Sequence, residues 1–112
     1  MKKNTDLKAL GISREIKEYV NTLLKNNIRP QEVILFGSFA KNKYHDYSDI
    51  DLAIVSNEFE KDPIEAMMNL SRLTIGISDR IESIALTSKD MKSKYHPFIA
   101  EIKKYGKVIY SS

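Results

Sequence analysis

The stretch from Val33 to Val55 constrains this chain more than any other part of it. It opens with Val33-Ile34-Leu35-Phe36, a continuous apolar run that reads as a buried strand. Gly37 follows at once and permits a sharp turn with close approach of a ligand to the backbone. Ser38 is a natural N-cap, so a short helix is predicted to start there with unpaired N–H groups, the setting in which proteins hold phosphate. A second apolar run, Ile50 to Val55, reads as the next strand. Asp49 and Asp51 lie two residues apart along it, so both side chains leave the same face.

Two carboxylates on one face repel each other unless a cation lies between them, and hard oxygen ligands suit Mg²⁺. A phosphate-holding turn joined to such a pair is what phosphoryl transfer needs. Either half alone is ordinary: Gly-Ser is commonly a connector, and Asp-x-Asp is commonly a solvated edge. Their combination, in strand, turn, helix, strand order, is far more specific.

Gly37-Ser38 with Ser48-Asp49-Ile50-Asp51-Leu52 resembles the signature of the DNA polymerase beta-like nucleotidyltransferase superfamily. The small size is similar to that of the minimal nucleotidyltransferases, proteins often paired with a HEPN-domain partner in prokaryotic toxin–antitoxin modules. The likeness extends, less specifically, to His96-Pro97-Phe98-Ile99 and Gly106-Lys107-Val108-Ile109-Tyr110, a closing helix and strand. One departure is visible: Asn42 stands where the family usually has a second glycine. Asparagine tolerates a left-handed backbone better than other residues with side chains, so the turn is expected to persist.

The resemblance implies a third carboxylate on a neighbouring strand, completing a two-metal site. Glu82, in Arg80-Ile81-Glu82-Ser83-Ile84-Ala85-Leu86, is the candidate, because a charge within an apolar strand asks for a partner or a metal. The alternatives are that Glu82 points to solvent or pairs with Arg80. Glutamate replaces the usual aspartate, and Asp79 at the head of the strand is the fallback.

Composition fits one small intracellular domain spanning residues 1–112, large enough for a core but too short for an added substrate domain. With no cysteine there are neither disulfides nor thiolate metal sites. The charged start, Met1-Lys2-Lys3-Asn4-Thr5-Asp6, has no apolar stretch behind it, and no window reaches the length of a membrane span, so a cytoplasmic location is expected. Net charge is +3, and residues 1–47 carry nine basic against five acidic side chains. That balance could favour nucleotides or RNA, but a solvated surface explains it more simply, and nucleic acid is the less favoured partner.

The remainder reads as scaffold. Ser13 starts a helix with Ile16, Tyr19, Val20, Leu23 and Leu24 on one face, ending near Asn26-Asn27. Asp62-Pro63 is an N-cap followed by proline at the first helical position. The helix behind it carries Ala66, Met67, Leu70, Leu73 and Ile77, with Gly76 near its end; Met67 and Met68 could form an adaptable binding face but are expected to fill the core. Pro97 opens a last helix, with Phe98, Ile99, Ile102 and Tyr105 on its apolar face and Gly106 at its end. The fold class is α/β (α+β), the polymerase beta-like nucleotidyltransferase fold, with a mixed sheet flanked by helices.

Among the loop residues, Lys41 and Lys43 are modest candidates for triphosphate contacts. Tyr44 and Tyr47 suit base stacking, a protein partner or surface packing equally well. His45 could touch a nucleotide, but a loop histidine is more simply an exposed residue, and His96 is expected to be a helix-entry residue.

The resemblance implies catalysis by Asp49, Asp51 and Glu82, with two Mg²⁺ ions and with Gly37 and Ser38 against the phosphates of ATP. AMP would pass to a hydroxyl acceptor, by resemblance a side chain of a HEPN-type toxin, making this chain an antitoxin. The acceptor site would be shared with that partner or with a second copy in a homo-oligomer. The alternatives are a non-catalytic antitoxin that occludes its partner and an enzyme that modifies a small hydroxylated molecule such as an antibiotic.

Overall fold

In a computed structural model, residues 7, 8 and 10–112 are described; the charged run 1–6, where a signal peptide is not expected, lies outside them. Four strands form one sheet in the order β3-β2-β1-β4: β1 (Glu32–Phe36), β2 (Ile50–Val55), β3 (Ile81–Leu86) and β4 (Lys107–Ser111). β1 runs antiparallel to β2 and to β4, while β2 and β3 are parallel, so the sheet is mixed as expected. The parallel pair needs a crossover, supplied by a short 3-10 helix (Asn57–Glu60) and α2 (Pro63–Arg72).

Strand alternation divides the core in two. One face packs Val33, Leu35, Leu52, Ile54 and Ile81 against α1 (Ser13–Lys25) and α2. Leu23, Leu35, Leu52 and Leu70 are fully buried there, each contributing roughly 1.5–3 kcal/mol by leaving water. Tyr19 is buried with them, its hydroxyl donating to the Leu70 carbonyl at 3.0 Å and meeting Ser83 Oγ at 2.8 Å. Burial pushes that phenol up to about 12. The opposite face packs Ile34, Phe36, Ala53, Val55 and Leu86 against Ile99 and Ile102 of α4 (Ile99–Tyr105). No helix among the described residues is long and apolar enough to cross a membrane.

The expected helices are present with adjusted ends. Ile16, Tyr19, Val20 and Leu23 form the buried face of α1, and Asn27 just beyond it adopts φ +63. Asp62 caps α2 by accepting the Glu65 N–H at 3.0 Å, with Pro63 in the first position. That helix ends at Arg72, so Leu73, Gly76 and Ile77 fall in the turns that follow. Gly106 ends α4 in extended backbone, and it is needed because a Cβ there would collide with the Ile102 carbonyl and Ile34.

Three expectations need correction. Met67 and Met68 are 40 % and 66 % exposed and fill no core; Met67 Sδ instead accepts the Ala85 N–H of the edge strand at 3.1 Å. The helix expected after Ser38 is a succession of turns over residues 37–42, because Asn42 at φ +59 leaves the helical region before a second turn can form. Two short elements are additional: the 3-10 helix, capped by Ser56, and α3 (Ser88–Met91), closed by a Thr87/Asp90 capping box. At four residues each they are too short to carry a hydrophobic period.

Candidate active site

The connection from β1 to β2 runs over one end of the sheet. Phe36, the last residue of β1, lies opposite Asp51 in the register, so the chain turns beside that carboxylate. Gly37 adopts φ +76, and a Cβ at this position would collide with Asp51 Oδ2. Glycine is therefore required twice, by its dihedral and by the carboxylate resting on its α-carbon.

Lys41 N–H closes one helical turn onto the Gly37 carbonyl at 3.2 Å, and Lys43 N–H reaches the Ser38 carbonyl at 2.9 Å. Among the described residues no acceptor meets the N–H groups of Ser38, Phe39 and Ala40, which leaves the middle of the turn free to meet an anion. Phe39 anchors the turn from the α1 side of the sheet, buried in that core with Tyr44 stacked on it at 4.5 Å.

Asp49 precedes β2 by one residue and is exposed, while Asp51 is half-buried on the strand. Glu82 stands opposite Asp51 in the parallel register of β2 and β3, and so on the same face of the sheet. Arg80 does not pair with it. The Arg80 guanidinium reaches Glu15 at 3.4 Å, the Ser48 carbonyl at 3.2 Å and the face of Phe39 at 5.6 Å, leaving Glu82 exposed at the sheet edge. Asp79, the fallback, lies apart in a hollow formed by the loop 74–79.

Burial, then the charges of Asp49, Glu82 and Glu101, push the Asp51 carboxyl up to about 6, with Lys41 opposing them. Glu101 is the site residue that sequence reasoning missed. It accepts the Gly37 N–H at 3.1 Å through Oε2, which also stands 3.6 Å from Lys41 Nζ. The Gly37 N–H is therefore occupied, unlike those of the three residues that follow it. No local pattern marks Glu101, because its partner lies 64 residues away and is met only once α4 covers β1.

An open cleft of about 370 Å³ is lined by Ser38, Lys43, His45, Tyr47, Ser48, Asp49 and Asp51, within the range of small-ligand sites. Lys43 thus belongs to the cleft, while Lys41 is turned to Glu101 and the Tyr105 ring. The His45 N–H donates to Ser48 Oγ at 2.8 Å, and its Nδ1 accepts the Tyr47 N–H at 3.4 Å, so this histidine braces the loop. His96 Nδ1 accepts the Phe98 N–H at 3.2 Å, as a helix-entry residue does. Among the described residues no three His, Cys, Asp or Glu side chains are arranged as a metal-holding group.

The polymerase beta nucleotidyltransferase family matches residues 18–112. Two proteins of Methanocaldococcus jannaschii, each named "putative protein adenylyltransferase", are similar. One is 30 % identical over 102 residues, covering 89 % of this chain and 97 % of its own length. The other is 33 % identical over 99 residues, covering 87 % and 96 %. The fold is shared with a crystal structure from Sulfolobus solfataricus described as a "putative nucleotidyltransferase", at a TM-score of 0.66, 24 % identity and coverage of 99 % of this chain and 92 % of that one. It is shared too with a toxin–antitoxin crystal structure containing AMP-PNP, at a TM-score of 0.61, 20 % identity and coverage of 86 % and 73 %.

Proposed function

The chain belongs to the polymerase beta nucleotidyltransferase family, and we propose that it transfers AMP from ATP to a hydroxyl of a partner protein. The pairing of Asp51 with Glu82 across two parallel strands, beside a turn whose middle N–H groups meet no acceptor among the described residues, is the observation that carries this reading. The names of the two archaeal relatives support adenylyl transfer to protein.

The donor set suits a hard cation. It consists of carboxylates alone; burial raises Asp51 most, and the repulsion from its neighbours that adds to this is what a divalent ion would relieve. Asp49 and Asp51, which line the cleft, would hold Mg²⁺, which when bound would neutralise phosphate charge and draw the reacting oxygens together. Gly37 lets the chain turn closely, and Ser38 with the neighbouring N–H groups would receive the phosphates beyond the α position. Lys43 adds a positive charge within the cleft. Glu82, exposed at the edge of the sheet, would take the proton of the acceptor hydroxyl. The hydroxyl oxygen bonds to the α-phosphorus, the bond from that phosphorus to the bridging oxygen breaks, and pyrophosphate leaves. The protein contributes position and charge and forms no covalent intermediate.

We read residues 1–112 as one minimal nucleotidyltransferase domain whose open cleft is completed by the acceptor protein. The structural likeness to a toxin–antitoxin pair containing AMP-PNP supports a toxin as that acceptor, with this chain as the antitoxin. A HEPN-domain toxin in the cytoplasm is the partner class we favour.

The test is incubation with labelled ATP, Mg²⁺ and the protein encoded beside it, followed by mass measurement of that protein. One added AMP with wild type and none with Asp49→Asn or Asp51→Asn is expected. Neutralised toxicity and a tight complex without any AMP transfer would leave an occluding antitoxin instead.

A further inference from the structure

Glu101 lies outside the cleft lining, yet it grips the turn whose Ser38 lines that cleft. Gly37 and Lys41 are the two ends of a single helical turn, and one carboxylate oxygen meets both of them. The Lys41 ammonium also lies 5.6 Å from the centre of the Tyr105 ring, and Tyr105 follows Glu101 by one turn of α4. The helix is itself held by the core: Ile99 and Ile102 are buried beneath it, and Phe98 packs on Phe36 at 5.9 Å. Gly106 allows its end to approach Ile34 of β1. The core thus fixes α4, α4 fixes Glu101, and Glu101 fixes the turn.

The charge on this residue is informative. A glutamine could accept the same N–H without repelling Asp51. A carboxylate makes the stronger hydrogen bond and also holds Lys41. With Phe39 buried on the opposite face of the sheet, the turn is pinned from both sides, and between the pins the N–H groups of Ser38, Phe39 and Ala40 meet no acceptor among the described residues.

We infer that Glu101 is a positioning residue for the triphosphate, holding the Gly37–Lys41 turn so that Ser38 and the adjacent N–H groups meet the phosphates beyond the α position. The inference rests on the reading of the cleft as a nucleotide site.

The test is calorimetric titration of the full chain with ATP and, separately, with AMP, both in Mg²⁺. In Glu101→Ala the Kd for ATP should rise about tenfold, the scale of one lost charge-assisted hydrogen bond, while the Kd for AMP stays unchanged. Glu101→Gln keeps the acceptor and should remain within about threefold of wild type for ATP. Should Glu101→Ala fail to fold, Glu101→Asp decides, because its shorter arm cannot reach both Gly37 and Lys41, and the preference for ATP over AMP should fall. Equal weakening of ATP and AMP, or an unchanged ATP affinity, overturns the positioning role. Failure of wild type to bind ATP overturns the nucleotide reading and this inference with it.

Discussion

Asp51 and Glu82 stand opposite one another in β2 and β3, so the half-buried carboxylate at the centre of the site and the exposed one at the sheet edge share a face. The two take different parts in the proposed chemistry because their surroundings differ. Asp51 is pressed against Gly37 and surrounded by like charge, whereas Glu82 is exposed on the edge strand of the sheet. Glu82→Gln preserves shape and removes the charge. It should reduce AMP transfer at least tenfold with stability within about 0.5 kcal/mol of wild type, as befits an exposed position. Single-turnover transfer and thermal melting of the same sample measure both. Full transfer by this variant would remove Glu82 from the site.

The raised Asp51 carboxyl makes stability depend on pH in a direction opposite to that of most aspartates. Its folded-state value of about 6 lies above the ordinary 3.8, so between these values the folded chain binds more proton than the unfolded chain. Stability from this group is complete below about pH 4 and is lost as pH rises through about 6. After allowance for solvent screening at a half-buried site, the loss is on the order of 1–2 kcal/mol. Asp51→Asn should abolish this slope and be more stable than wild type at pH 7, while losing AMP transfer. Denaturant unfolding from pH 4 to pH 7.5, without divalent ions, reads the effect, and identical slopes in the two proteins would contradict the assignment.

Much of this arrangement was legible in the sequence, because local chemistry dictated it. Asp62-Pro63 capped a helix where cap and proline said it should, and Asn42 adopted the left-handed backbone inferred for the position of a missing glycine. Strand alternation put Glu82 with Ile84 and Leu86, but the choice of face followed only from the parallel register with β2. What could not be read depended on which elements meet in space. Glu101 looks like any solvated helix residue until α4 is laid over β1, and Arg80 looks like the natural partner of Glu82 until Glu15 is found nearer. Met67 shows the same limit, since its spacing fits the stripe of Ala66, Leu70 and Leu73, yet it lies against the edge strand and stays 40 % exposed.

Gly37 and Asn42 bound the turn after β1 with positive φ, yet substitution should affect them differently. Gly37→Ala meets both a strained dihedral and the Asp51 carboxylate, so it should cost about 2 kcal/mol or more and displace the carboxylate. Asn42→Gly should be neutral or slightly stabilising, and Asn42→Ala should cost about 1 kcal/mol with transfer retained, because this residue is exposed and its side chain lines no part of the cleft. Chemical denaturation of the three variants checks the order. If Gly37→Ala proves as mild as Asn42→Ala, the contact between Asp51 and the turn is not what demands glycine.

Arg80 connects the parts of the site that the sequence keeps apart. Its Nε donates to the carbonyl of Ser48, the residue before Asp49, and its guanidinium lies over Phe39 in the turn after β1. Glu15 of α1 holds it in place, itself hydrogen-bonded by the Ser78 hydroxyl. Arg80→Lys retains the charge but cannot reproduce a planar group that stacks on a ring while donating from two nitrogens. It should therefore lower stability by about 1–2 kcal/mol and reduce AMP transfer several-fold. Glu15→Gln should lower stability by a smaller amount and leave transfer nearly intact, because Ser48 and Phe39 still hold the guanidinium. Measuring both variants separates the two links: a loss of transfer in Glu15→Gln equal to that in Arg80→Lys would place the controlling contact at α1 and not at the entrance to Asp49.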